Sequence, residues 1–259
     1  MNPSDAIAIQ TQMQHLKVCV VMPTYNNDGT LRDVVERVLA FCTDVIVVND
    51  GCTDNSAEIL ASFGERITVV DYGRNRGKGY ALKQGLKKAK ALGFDYALTL
   101  DSDGQHFPED MPLFIEALKQ HPGALIVGSR NLNQENMPGK NTFANKFSNF
   151  WFKIQTGINL PDTQTGYRLY PLKHMPNLAL LTSRYEAELE LLVFSAWRAI
   201  DLIPIKINVF YPKADERVTH FRPFWDFFRI SVLNTVLCVV ALFYGWASRL
   251  IRKARRRHE

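Results

Sequence analysis

Two periods of apolar spacing alternate along the first half of the chain. Residues 17–22, 45–48, 66–71 and 95–101 are short apolar, β-prone runs that predict strands. Helical spacing lies between them. In residues 30–41, Leu31, Val34, Val35, Val38 and Leu39 share one face. Thr53 or Asp54 caps a helix through Phe63, and residues 77–92 form a lysine-rich helix. Pro108 starts another helix, residues 124–127 form a further strand, and residues 141–156 an aromatic helix. Residues 185–190 open a helix whose acidic first turns suit its N-terminal dipole. This rhythm predicts an α/β fold with a mostly parallel central sheet flanked by helices. Ligands of such sheets gather at the carboxyl ends of the strands. The loops after the first, second and fourth strands are the polar ones.

The fourth strand runs into Asp101-Ser102-Asp103-Gly104-Gln105. Strand alternation points residues two apart to one face, so Asp101, Asp103 and Gln105 are expected to converge. Two carboxylates and an amide oxygen suit a hard cation such as Mg²⁺ or Mn²⁺. The same parity turns His106 away from Gln105. An acidic turn after a strand is the competing reading of this stretch alone.

The 259 residues fit one large α/β domain with a modest appendage, and 46% hydrophobic content supports a sizeable core. The formal charge of +5 is localised: residues 249–259 hold six Lys/Arg and one Glu, leaving 25 positive and 25 negative side chains before them. A neutral body argues against nucleic-acid binding, which needs a basic face. The four cysteines show no paired spacing and read as reduced thiols in a cytosolic setting. Residues 1–15 read as a flexible N-terminus in which no signal peptide is apparent.

Residues 230–248 carry no charge, enough for a helix roughly 28 Å long. Phe224, Trp225, Phe227 and Phe228 precede them as an interfacial aromatic set, and the basic tail that follows suits anionic headgroups. A buried soluble helix is the alternative, supported by Ser231, Asn234 and Thr235. If the segment meets a membrane, spanning, re-entrant and interfacial placements all stay open.

The ordered motifs VVMPTYNN, VIVVNDGCTDNS, NRGKGYAL, LTLDSDGQH, GSR and DTQTGYRLY, within residues 17–210, resemble family 2 glycosyltransferases of GT-A (Rossmann-like) fold. The likeness is greatest to polyprenol-phosphate sugar transferases of the dolichol-phosphate mannose synthase type. That resemblance implies inverting transfer of a hexose from a nucleotide diphosphate sugar, of GDP-mannose or UDP-glucose type, to a polyprenyl or dolichyl phosphate. A nucleotide-sugar donor requires the catalytic domain in the cytosol, so attachment through the C-terminal segment is expected at the cytoplasmic face of a membrane. The resemblance implies Mg²⁺ or Mn²⁺ on Asp101, Asp103 and Gln105, stabilising the diphosphate leaving group.

By the same resemblance Pro23, Thr24, Tyr25, Asn27, Val48, Asp50, Arg76, Lys78, Asp101, Ser102 and Arg130 line the nucleotide-sugar site, with Asp50 recognising the base. Glycines and cations in residues 74–79 are positioned to approach a diphosphate at a helix N-terminus. Asp103, Arg130, Asp162 and Glu188 are candidate catalytic residues, and Arg168, Lys213, Arg217, His220 and Arg222 candidate phosphate or acceptor ligands. The expected parts are the N-terminus, a catalytic domain over 16–212, a basic and aromatic segment over 213–229, and the helix with its tail over 230–259. A phosphate acceptor is already anionic and needs no general base. A glycan or other lipid acceptor, or a non-catalytic nucleotide-sugar-binding protein, is the alternative.

Overall fold

The computed structural model describes residues 3–130, 139–175, 182–210 and 223–245. Along the chain come α1 (Pro3–His15), β1 (Val18–Thr24), α2 (Asp28–Leu39), β2 (Val45–Asn49), α3 (Ser56–Ala61) and β3 (Thr68–Asp71). Then follow α4 (Lys78–Ala91), β4 (Tyr96–Thr99), α5 (Met111–Gln120), β5 (Leu125–Arg130) and α6 (Gly139–Thr156). The chain continues through β6 (Arg168–Pro171), α7 (Glu186–Trp197), β7 (Leu202–Ile207) and α8 (Pro223–Val240), which ends in a π-helical turn, Ala241–Gly245.

The strands form one sheet in the order β3-β2-β1-β4-β6-β5-β7. All neighbours are parallel except β6, which runs against both β4 and β5; Leu169 of β6 sits opposite Leu98 on one side and Ile126 on the other. Helices cover both faces. Val18, Val20 and Met22 of β1 face a core shared with α1, α2 and α5, whereas Cys19 and Val21 face one shared with α4, α6, α7 and α8. Burial on both sides explains why the strands read as continuous apolar runs.

Two expectations change. Residues 1–15, expected as a flexible N-terminus, contain α1, and its Met13 is buried in the first core. Asp54 ties two helix starts together rather than one: its carboxylate accepts from the Ser56 amide of α3 and the Asp28 amide of α2, each at 3.0 Å. All four cysteines are free thiols.

The C-terminal helix has two unlike faces. Leu233, Asn234, Leu237 and Ala241 are buried against the domain. Gln155 Nε2 of α6 donates to Asn234 Oδ1 (2.9 Å), and Trp197 Nε1 of α7 donates to the Gln155 carbonyl (3.0 Å). Trp225, Phe228, Val232, Val236, Val239 and Phe243 face outward, beside a lesser apolar exposure at Phe150 and Ile154 of α6.

Candidate active site

Strand β4 stops at Thr99, so residues 101–105 form a turn and not a strand extension. Alternation therefore does not bring Asp101 and Asp103 together; the turn does. Gly104 takes φ +76°, and Asp103 Oδ1 accepts the Gln105 amide at 3.0 Å. Ser102 lies beneath the turn, almost wholly buried. Its Oγ accepts from Asn27 Nδ2 (2.9 Å) and donates to the Pro23 carbonyl (3.3 Å), while Thr30 Oγ1 donates to its carbonyl (2.7 Å). These bonds clamp the acidic turn to the loop after β1. The Phe210 amide donates to the Gln105 carbonyl at 2.9 Å, which brings the exit of β7 to the same turn.

The first residue of α4 supplies the site's cation. Lys78 Nζ lies 2.8 Å from Asp101 Oδ1 and 3.2 Å from Glu188 Oε1 of α7. Burial opposes the Lys78 charge, yet the two carboxylates hold it well above the usual lysine range. Burial likewise opposes ionisation of Asp101, but Lys78 holds it below the ordinary carboxylate range. Asp103 has no such ion pair among the described residues: burial, then the Asp101 charge, push it up to about 6. Burial, and then Asp101, raise Glu188 despite the pull of Lys78. Gly166 roofs this cluster. A methyl group there would lie 2.9 Å from Asp101 Oδ2 and 3.1 Å from both Glu188 Oε1 and Lys78 Nζ.

Asp50, just beyond β2, organises the start of α4. Oδ1 accepts from the Tyr72 hydroxyl (2.6 Å) and the Arg76 amide (2.8 Å), and Oδ2 from the Gly77 amide (2.9 Å). Burial and the Asp50 charge keep the Tyr72 hydroxyl protonated, raising it above the usual tyrosine range. Tyr72 meets Tyr80 edge-on at 5.1 Å, and the exposed Arg76 guanidinium lies 4.8 Å above the Tyr80 ring. Asp50 thus fixes the turn that leads into the helix N-terminus expected to receive a diphosphate. Gly79 serves packing: a methyl there would run into Ala187 Cβ and come within 2.6 Å of the Arg184 carbonyl.

At the end of β5, Arg130 grips Asp162 through Nε (2.6 Å) and Nη2 (3.0 Å). Asp162 has no exposed surface. It also accepts from the Arg130 amide, Asn145 Nδ2 and the Gln164 amide. Burial would lift its carboxyl, but these donors hold it below the usual range. Arg168 is equally enclosed, donating through Nη1 to the Glu188 carbonyl (2.6 Å) and through Nη2 to the Thr163 carbonyl (3.0 Å).

A family profile described as "Glycosyl transferase family 2" matches residues 19–174, more than half of the chain. The chain belongs to glycosyl transferase family 2. It is 28% identical to a UDP-N-acetylglucosamine–dolichyl-phosphate N-acetylglucosaminyltransferase of Methanococcus voltae, over 75% of this chain and 86% of that protein. It is 33% identical to an undecaprenyl-phosphate 4-deoxy-4-formamido-L-arabinose transferase of Photorhabdus laumondii, over 60% of this chain but only 49% of that longer protein. The fold resembles glucosyl-3-phosphoglycerate synthase of Mycobacterium tuberculosis, solved with Mn²⁺, UDP and phosphoglyceric acid. The TM-score is 0.65 at 18% identity, covering 91% of this chain and 82% of that one.

In this family 2 glycosyltransferase, Asp101, Asp103, Lys78 and Glu188 lie at one place, with Asn27 tied to the same turn. Tyr25 and Arg76 lie on the loops beside it. Other expected residues have internal duties. Val48 is fully buried inside β2, paired with Pro23 and Val70. Pro23 and Thr24 belong to β1 itself, and Ser102 is a clamp. Arg168 does not reach an acceptor, because it is enclosed and holds two carbonyls. Asp162 is a positioning group for Arg130, since its oxygens already face five donors. Lys213, Arg217, His220 and Arg222 lie outside the described residues.

Sequence reasoning missed Tyr72, Asn145 and the role of Gly166; only the place of Tyr72 beside the Arg74–Gly79 motif hinted at it. It set His106 aside, and the structure buries that ring against Tyr167 at 5.2 Å, where burial pulls it down to about 4. Among the described residues no three His, Cys, Asp or Glu side chains form a metal cage. The expected donors are two carboxylates and the Gln105 amide. Two carboxylates and an amide oxygen fit a hard divalent ion, and such a cation would favour the ionised form of Asp103, which burial and then the Asp101 charge oppose.

Proposed function

We propose that the enzyme transfers a hexose from a nucleotide diphosphate sugar to a polyprenyl phosphate at the cytoplasmic face of a membrane, with inversion. What supports this acceptor is the state of the two candidate bases. Asp162 has its oxygens engaged by five donors, and Glu188 is paired with Lys78. A hydroxyl acceptor needs a base to take its proton, whereas a phosphate does not. The M. voltae and P. laumondii relatives are named for dolichyl and undecaprenyl phosphate acceptors.

In this reading Asp101, Asp103 and Gln105 hold Mg²⁺ or Mn²⁺, which when bound stabilises the charge growing on the departing diphosphate. Lys78 adds a second positive charge beside the leaving group, and Glu188 and Gly166 set its position. Arg130, oriented by Asp162, faces the donor from the end of β5 as an anion clamp. The outward face of α8 lies on the lipid surface and does not span it, because the opposite face is packed on α6 and α7. The basic tail then meets anionic headgroups on the side where nucleotide sugars occur.

Purified full-length protein incubated with Mn²⁺ or Mg²⁺, a panel of labelled nucleotide sugars and polyprenyl phosphate is expected to give label extractable into organic solvent. Asp103→Ala is expected to abolish metal-dependent transfer while leaving the fold intact. No extractable label from any donor overturns the lipid acceptor. The raised Glu188 favours a second reading, a base for a hydroxyl on a glycan or other lipid, and label on such an acceptor alone would establish it.

A further inference from the structure

Asp50 is the carboxylate that the family resemblance places against the base of the donor, and its bonding capacity here can be counted. A carboxylate offers about four lone-pair sites. Tyr72 Oη and the Arg76 amide fill both sites of Oδ1, and the Gly77 amide fills one of Oδ2. Among the described residues one site remains, on a residue only 2% exposed. Two of the three internal donors are the backbone amides of Arg76 and Gly77, fixed in the turn that leads into α4. The third, Tyr72, is held by its own ring contact with Tyr80 at 5.1 Å.

We infer that the donor nucleotide carries uracil in preference to guanine, and that Tyr72 sets the preference by occupying Oδ1. This rests on the proposed nucleotide-sugar reading of the site. Uracil presents one ring N–H between two carbonyls, which matches a single remaining acceptor. Guanine presents an adjacent ring N–H and amino N–H, which require both carboxylate oxygens side by side. With Oδ1 filled, one guanine donor enters the site without a partner, and a site that leaves a buried donor unpaired discriminates strongly. Cytosine and adenine carry no ring N–H at the matching position and bring a lone pair against the carboxylate instead.

The test is binding of UDP, GDP, CDP and ADP to the full-length protein in Mn²⁺, measured by calorimetry, for wild type and Tyr72→Phe. Wild type is expected to bind UDP at least about tenfold more tightly than GDP, with CDP and ADP weaker than UDP. Tyr72→Phe keeps the ring contact but opens one Oδ1 site, so the UDP-to-GDP ratio is expected to narrow by about tenfold. A purely structural role of Tyr72 would weaken both nucleotides together and leave the ratio unchanged, which overturns its part in selection. GDP binding as tightly as UDP, in a protein that still transfers sugar, overturns the uracil assignment alone. Binding of none of the four overturns both that assignment and the transferase reading on which it rests.

Discussion

Replacing Asp162 with Asn separates a positioning carboxylate from a catalytic base. Among the described residues, each hydrogen-bond neighbour of the Asp162 oxygens is a donor: the Arg130 amide, Nε and Nη2, Asn145 Nδ2 and the Gln164 amide. An asparagine amide must therefore turn an N–H₂ toward another donor while the Arg130 guanidinium loses its counter-charge. Asp162 is fully buried and the Arg130 side chain only 16% exposed, so solvent offers little compensation. Breaking one partner of such a pair costs about 3–5 kcal/mol. For a domain of this size that lowers the melting temperature by roughly 10 °C, and urea unfolding at pH 7 measures it directly.

The dependence on pH follows from the sign of the shift. The folded carboxyl lies below its ordinary value, so its contribution is complete above the unfolded pKa of about 3.9 and disappears as pH falls through the folded value. The gap between wild type and variant is expected to shrink in strong acid. Sugar transfer by the folded variant should fall through misplacement of Arg130, with the shape of its pH–rate profile unchanged. A variant within about 1 kcal/mol of wild type at pH 7, or one that loses a limb of the profile, refutes this reasoning.

Other perturbations test neighbouring parts of the site. Lys78→Met removes the ammonium held by Asp101 and Glu188, so Mn²⁺ affinity without nucleotide should rise by about tenfold while UDP affinity falls, both read by titration. Gly166→Ala places a methyl group about 3 Å from three charged atoms; the shift it forces should lower kcat by about tenfold or more at a stability cost of about 1–3 kcal/mol. Val236→Asp with Phe243→Asp puts charges on the outward face of α8, at positions 43% and 82% exposed. Sedimentation with anionic vesicles should be lost while the melting temperature stays unchanged.

Periodicity and turn chemistry were enough to locate the strands and helices from β1 to β4, though not α1, because a sheet buried on both faces leaves apolar runs and helices leave a stripe such as Leu31–Val34–Val35–Val38. They also placed polar loops at the strand ends, with Asp50, Asp101 and Asp103 among them. The reversed strand β6 was not legible: Arg168–Pro171 is four residues long, and its direction depends on partners about 70 and 40 positions away.

The duties of the charged residues were no more legible. An aspartate looks the same in the sequence whether it faces a ligand, as Asp103 is proposed to do, or five internal donors, as Asp162 does. Burial and pairing decide between those states, and both arise from contacts between distant segments: Lys78 with Asp101 and Glu188, Arg168 with Thr163 and Glu188, Asp50 with Tyr72. The uncharged stretch 230–248 was equally ambiguous by itself. Docking of Leu233, Asn234 and Leu237 on α6 and α7 gives α8 a covered face and an open one, since complementary side chains on those helices bury one side and nothing among the described residues covers the other. Sequence alone thus determined most elements between β1 and β5 and where chemistry gathers. Tertiary structure decided which charges among the described residues are engaged within the protein, because their partners come from distant segments.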